Sequence, residues 1–441
     1  MQLKPKAPLL PAARARGRLM AASWALLSAG AARSQQTNMA APDSGLLEDW
    51  TVDSALAYYH EDGRIQAVEP VVDVAKVYAD GHALNFNVTF DALSGASPNG
   101  ALPSRNPQTF SSPSGRLKNQ YTTAPGQLPV DPNYHDDRIA VGGNWTVPFT
   151  RVDQVTVGGK VSAEDDFVSA TVNASIAHDF NDKNTTVSFG VDNEFDSIHP
   201  IGGVPVPGSD YALDEKETGG KTKDGVGLLL GVTQVMTRNW LSEFNVSIDR
   251  FHGYLNDPYK FTSIINSAGG TAGYVYENRP DERTRKSGYW ENRVAWNSRM
   301  STALSLRYMS DNWGVRSDTA QLHPRWSLSN GDRYIEPTVR WYRQTAANFY
   351  TPFILSTDTD KPTTGYESSD SRLAAFHAMT YGVKYAQKLP GLGGRAESEF
   401  SIRAEYYQQT LDVRTPVPEA LQGLDLYPGV KAVLVQIGWR F

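Results

Sequence analysis

Two short stretches carry residue types that can activate water. "YHEDGR" (59–64) brings His60, Glu61 and Asp62 together, and "YHDDR" (134–138) does the same for His135, Asp136 and Asp137. A histidine beside a carboxylate is the pairing a general base requires. The plainer reading is that Asp and His are ordinary turn and cap residues. A Ser-His hydrolase site would need a Gly-x-Ser-x-Gly elbow, and the chain has none. The acids of "STDTDK" (356–361) and "DNEFD" (192–196) miss calcium-loop spacing. With no cysteine, thiolate zinc sites, iron–sulfur clusters and thiol chemistry are excluded. The expectation is no catalysis, no metal and no cofactor.

A larger set of charges points to an interior surface. It comprises Glu69, Asp73, Arg138, Lys160, Asp192, Glu194, Glu243, Arg285, Glu291, Arg293, Arg307, Arg325, Glu336, Arg340, Lys384, Glu397, Glu399, Arg403, Glu405 and Arg440. Each stands on the polar face of a segment whose residues alternate in character. "LNFNVTF" (84–90) sets Leu84, Phe86, Val88 and Phe90 against Asn85, Asn87 and Thr89. "AESEFSIRAEYYQ" (396–408) sets Phe400, Ile402, Ala404 and Tyr406 against Glu399, Arg403 and Glu405. "VLVQIGWRF" (433–441) alternates to the last residue. A period of two means strands with one apolar face. Their other face carries too many charges for a dry core.

The connections sort by parity. Short turns lie near Asp80 and at 150–153, 181–184, 236–239, 297–300, 329–332 and 389–394. Long segments rich in Gly, Pro, Ser and Asp lie near 94–136, 196–223, 252–283, 348–369 and 411–428. Two of the alternate connections, near Glu164 and Gly314, are tight as well. Short and long connections otherwise alternate, which is the pattern of a bacterial outer-membrane barrel with short periplasmic turns and long extracellular loops. Aromatics beside the short turns, namely Phe149, Phe180, Trp240, Trp296, Trp326 and Tyr334, form an expected periplasmic girdle. Trp439 and Phe441 are read as the terminal signal for the barrel assembly machinery.

The fold class expected is therefore all-β: a closed antiparallel transmembrane β-barrel of about sixteen strands, with fourteen or eighteen as alternatives. The strands predicted are 50–60, 65–79, 82–93, 137–149, 154–163, 167–180, 185–195, 224–235, 240–251, 284–296, 301–314, 316–328, 333–347, 370–388, 395–410 and 430–441. Pro70, Pro148, Pro324 and Pro337 fall inside them, which predicts bulges or strand ends there.

Residues 1–34 read as an export signal. Lys4, Lys6, Arg14, Arg16 and Arg18 precede a short apolar run (19–32), with cleavage after Ala31 or Ser34. Residues 35–49 would be a short periplasmic segment and 50–441 the barrel. Removing 1–34 takes away six cations and no acid, moving the formal charge from −6 to −12. Nucleic-acid binding is disfavoured.

Several stretches resemble one uncharacterised family of bacterial outer-membrane barrels, a domain of unknown function. They are "YYHEDGRIQAVEPVV" (58–72), "DALSGASPNGA" (91–101), "AHDFNDKNTTVSFGVDNEFDSIHPIGG" (177–203) and the closing strand. The resemblance implies the barrel and its outer-membrane location. It implies no activity, ligand or catalytic residue.

The function expected is a channel or scaffold with a polar, charged lumen and no chemistry of its own. One alternative is a plugged barrel docking a periplasmic partner. Another is an enzyme with a His/Asp site at the outer rim. Expected partners are outer-membrane lipid and lipopolysaccharide, the assembly machinery, and small solutes or a periplasmic protein. Opposed acidic and basic arcs would set a transverse field in an aqueous pore. The competing arrangement is ion pairs across the lumen that hold it shut. Loop 94–136 would fold inward as a constriction or cover the outer mouth.

Overall fold

The computed structural model describes residues 50–112, 120–328, 331–356, 365–390, 397–412 and 415–441. The expected export signal (1–34) and periplasmic segment (35–49) lie outside them.

Sixteen strands close into one antiparallel barrel. They are β1 (Trp50–Glu61), β2 (Ile65–Val77), β3 (Ala83–Pro98), β4 (Val130–Pro148), β5 (Asp153–Ala163), β6 (Phe167–Phe180), β7 (Thr185–Ile198), β8 (Lys221–Thr237), β9 (Trp240–Gly253), β10 (Glu282–Ala295), β11 (Met300–Asp311), β12 (Arg316–Leu328), β13 (Arg333–Gln344), β14 (Phe376–Pro390), β15 (Glu397–Leu411) and β16 (Val430–Arg440). Each pairs with its neighbours in chain order, and β16 returns to β1 with Val433 opposite His60 and Arg440 opposite Asp53. Closure leaves no edge, so every strand has a backbone partner on both sides.

The outer wall is apolar and exposed. Leu56, Phe86, Val88, Ile139, Val141, Val172, Phe189, Leu228, Phe244, Leu306, Val383 and Ile437 all point away from the lumen, at 40–54% exposure. Water would penalise such a surface, and a bilayer solves the problem. The barrel is of the transmembrane type. Sixteen strands also leave an interior wider than side chains can fill.

The prolines disturb the ladder without shifting its register. Pro148 ends β4. Pairing between β2 and β3 lapses at Glu69–Pro70 and resumes on the same register. Between β12 and β13 it lapses from His323 to Arg325. The continuing register sets Pro324 opposite Pro337, so two residues lacking an N–H meet at one rung. Side chains span the gap there: Thr338 Oγ1 lies 2.9 Å from His323 Nδ1.

Candidate functional site

Parity along each strand decides which charges enter the barrel. Phe90 and Ile139 face out, so their neighbours Asp91 and Arg138 face in. By the same register Glu69, Asp73, Glu194, Glu243, Arg293, Arg307, Arg325, Glu336, Arg340, Glu399, Arg403 and Glu405 lie on the inward face. Glu397 begins β15, and its side chain lies outside the described residues.

The interior ion pairs run along the wall. Arg138 Nε donates to Asp91 Oδ2 at 2.5 Å, from β4 to β3. Lys223 on β8 sits 3.1 Å from Glu194 Oε1 on β7 and also meets Asp196. Arg283 Nε donates to Asp311 Oδ2 at 2.8 Å, from β10 to β11. Arg325 Nε lies 3.6 Å from Glu336 Oε2, between β12 and β13. Arg403 donates to Glu405 two residues along β15 at 2.9 Å, and Arg293 pairs with Glu291 in the same way on β10. Every one of these pairs stays within one strand or joins two neighbours.

The two signs are distributed unevenly around the ring. Inward carboxylates gather on β1–β9, among them Asp53, Glu69, Asp73, Asp192, Glu243 and Asp249. Inward cations gather on β10–β16, among them Arg285, Arg307, Arg340, Lys384, Arg403 and Arg440. Among the described side chains Arg138, Lys160, Lys221 and Lys223 are a minority in the first arc, and Glu291, Asp311, Glu336, Glu399 and Glu405 in the second.

The long connections converge over one mouth. The β3–β4 connection carries paired strands Gln108–Ser111 and Gln120–Thr123, and the β9–β10 connection carries Phe261–Ile265 and Thr271–Tyr276. Phe353–Leu355 of the β13–β14 connection adds to Phe261–Ile265 in parallel. These three connections leave the ring six, four and six strand positions apart, so their meeting point lies over the opening. Leu102 N donates to Ser263 Oγ at 3.0 Å, Phe261 N to Asn99 O at 2.9 Å, and Ser369 Oγ to Gly100 O at 2.9 Å. Ala101, Phe110, Tyr121, Phe261 and Tyr276 form one apolar core of this cap, with Tyr211 of the β7–β8 connection against it. Leu102, Ile265, Phe353, Leu421 and Leu426 form a second, which recruits the β15–β16 connection. Of the long segment expected at 94–136, only 99–129 is outside the barrel strands, and its described residues, 99–112 and 120–129, thus lie across the mouth.

An ion network centred on the buried Asp370 and Glu277 pins the cap. Arg279 Nη2 lies 2.8 Å from Glu277 Oε2 and 2.7 Å from Asp370 Oδ2. Arg372 Nη2 lies 2.5 Å from Asp370 Oδ2 and 2.6 Å from Asp257 Oδ2. Lys260 Nζ donates to Pro98 O at the top of β3. Asp370 also caps the short 3-10 helix Ser371–Leu373 by accepting from Arg372 N at 3.0 Å. Burial pushes the Asp370 carboxyl up, but Arg372, Arg279 and Lys260 outweigh it and hold the group well below the usual carboxylate range. Asp257 is lowered by the same balance, with Arg372 its largest favourable neighbour. Glu277 goes the other way, because its burial outweighs Arg279.

Neither water-activating stretch assembles three groups. His135 and Asp137 share the outward face, with Nε2 and Oδ2 3.1 Å apart, while alternation turns Asp136 inward. His60 faces out beside Tyr58, with the rings 6.5 Å apart, whereas Glu61 faces in and accepts from Tyr59 at 2.7 Å. Asp192, Glu194 and Asp196 stand on one face of β7, where Lys223 occupies the last two. Residues 357–361 of the other acidic stretch lie outside the described residues.

Five aromatics beside the short turns, Phe149, Phe180, Trp240, Trp296 and Trp326, are exposed on the outer wall at 38–62%. Tyr334 corrects the expectation. It is buried at 8% exposure and faces the lumen, where its hydroxyl donates to Glu399 at 2.9 Å and Arg325 lies over its ring. Nearness to a turn suggested the girdle, but parity decides, and on β13 Ile335 is the outward residue. Trp145, exposed at 47%, escaped the sequence reading although its outward parity was available. Trp439 packs edge-on against Phe400, and Phe441 exchanges two backbone hydrogen bonds with Val52 at 2.7 and 3.0 Å.

Fold and site together define a transmembrane β-barrel whose inward strand faces carry charges of both signs and one of whose mouths is crossed by interlocked loops. The model of a family described as "Protein of unknown function (DUF3570)" matches residues 16–441, and the chain belongs to that family. No curated protein matches it. Solved structures similar to it include a bacterial polysaccharide outer membrane secretin, at 9% identity over 90% of this chain and 100% of that one, with a TM-score of 0.41. Others are Pseudomonas aeruginosa OpdK with vanillate, at 9% identity, 90% and 100% coverage and TM-score 0.38, and Acinetobacter baumannii OccAB1, at 10%, 89% and 96%, and 0.39.

Proposed function

We propose that this protein is an outer-membrane channel for small polar solutes, gated at its outer mouth by the loop cap, with no covalent chemistry of its own. One observation carries the reading: the interior ion pairs described above run along the wall. Pairs spanning the lumen would exclude water and lock the barrel as a strut. Pairs lying along the wall neutralise individual charges and leave the axis free. The division into acidic and basic arcs adds a reason for the charges to be there, since a transverse field orders water and orients dipolar solutes. The apolar outer wall supports the membrane location.

The test is single-channel conductance of the full-length protein in a planar bilayer, after its gel mobility is shown to shift on heating. Stable steps that grow when residues 104–126 are replaced by a short Gly-Ser link would support the reading. A folded barrel that inserts and never conducts, with or without that segment, would overturn it.

A further inference from the structure

The lipid-facing wall is not uniform. On β7–β11 a groove of about 420 Å³ opens between Phe189, Leu228, Leu230, Val246, Ile248 and Tyr308. Its floor is Gly288. The register sets Gly288 between Val246 on β9 and Tyr308 on β11, both pointing outward. A Cβ built at Gly288 meets nothing within 4 Å, so the missing side chain makes the trough.

The next rung towards the long-loop end is polar. Ile248, Lys286, Ser310 and Arg316 follow one another across β9, β10, β11 and β12. Lys286 and Arg316 are exposed and flank the Ser310 hydroxyl. Among the described residues neither side chain has an ion-pair partner, whereas Arg250, one rung further out on β9, is held by Glu282 at 3.0 Å. Asp318 lies on the same face two residues from Arg316, and its cross-strand neighbour on β13 is Arg343. Two free cations and a hydroxyl above an apolar trough match an anionic head on an acyl chain. Such cations at a bilayer interface attract anionic lipid.

We propose that this groove holds an acyl chain of a phosphorylated outer-leaflet glycolipid, with its phosphate between Lys286 and Arg316. The assignment rests on the outer-membrane location in the reading above and not on conductance. It is tested by titrating the full-length, delipidated barrel with lipid A and with dephosphorylated lipid A, and reading bound lipid by native mass spectrometry. The expected result is a retained lipid A that binds at least tenfold more tightly than its dephosphorylated form. Lys286→Glu combined with Arg316→Glu, and separately Gly288→Leu, should each weaken it at least tenfold. Gly288→Leu fills open space with a residue that strands tolerate, so the heat-shifted gel band should persist and folding is not at issue. Equal binding of the two lipids, or binding indifferent to Gly288→Leu, would overturn the proposal. A barrel that binds lipid A in this way and never conducts would fail only the channel reading.

Discussion

Arg440 Nε donates to Asp53 Oδ1 at 2.5 Å, and the two residues face each other across the seam between the last strand and the first. Their neighbour Asp73 on β2 accepts from Asn85 on β3 at 2.7 Å, so polar contacts continue around the wall from the seam. The seam joins the two barrel strands farthest apart in sequence, and an inward ion pair supports its register beside the backbone bonds.

Asp53→Ala should therefore weaken closure, by about 0.5–1 kcal/mol because both side chains are partly exposed. The temperature at which the folded gel band is lost should fall for Asp53→Ala and for Arg440→Ala. The double variant should lose less than the two single losses added together. Full additivity would show that the pair contributes no coupling.

The lumen predicts selectivity that follows its arcs. Reversing Arg307 and Arg340 to Glu removes inward cations from the basic arc without touching the ion pairs described above. The reversal potential in a salt gradient should move towards cation preference. Reversing Asp73 to Lys should move it the other way. Shifts of the same sign from both changes would contradict opposed walls.

Much of this architecture is legible in the chain. The apolar alternation fixes each strand where it crosses lipid, and sixteen predicted segments fall on the sixteen barrel strands. The strand ends are less legible for a physical reason. β3 runs to Pro98 and β4 begins at Val130, well past the expected 93 and 137. Above the bilayer the hydrogen-bond ladder continues, but no lipid demands an apolar face, so the signal fades. β14 errs the other way. Its predicted start at 370 falls on the cap, where Asp370 begins a 3-10 turn, and the strand starts at Phe376. The cap itself was not readable, because its contacts join Leu102 to Ser263 and Arg279 to Asp370, far apart in sequence. Nothing local in a Gly- and Pro-rich loop announces such partners.

The turn between β6 and β7 stores local strain. Asn181, Asp182 and Lys183 all have left-handed backbone, with φ of 51°, 52° and 68°. Asn and Asp tolerate that region, and Lys gains nothing there. Lys183→Gly should stabilise the barrel by about 0.5–1 kcal/mol, read as a higher temperature for loss of the folded gel band. Lys183→Val should do the reverse. A neutral Lys183→Gly would mean that the unfolded chain's added freedom cancels the relief.

Acid should loosen the cap. Asp370 and Asp257 have folded values below those of an unfolded chain, so each contributes stability above the unfolded carboxylate value, about 3.9, that is lost as pH falls through the depressed one. Glu277 has the opposite sign: its folded value is raised, so ionising it as pH rises costs stability. Two groups against one, with Asp370 the most strongly held, make loosening below about pH 4 the expected direction. Hydrogen-exchange protection factors for amides in 254–281 and 365–375, which divide out the intrinsic pH dependence, should fall between pH 5 and about 3. Amides at mid-strand should not follow. Asp370→Asn leaves Arg279 and Arg372 without their shared carboxylate; because Arg372 reaches solvent and keeps Asp257, and Arg279 keeps Glu277, the cost is about 1–3 kcal/mol. Its cap should exchange faster at neutral pH and lose most of the remaining acid dependence. Protection that holds to pH 3 in the wild-type protein, or an unchanged acid response in Asp370→Asn, would show that the apolar cores around Phe110 and Ile265 hold the cap without the ion network.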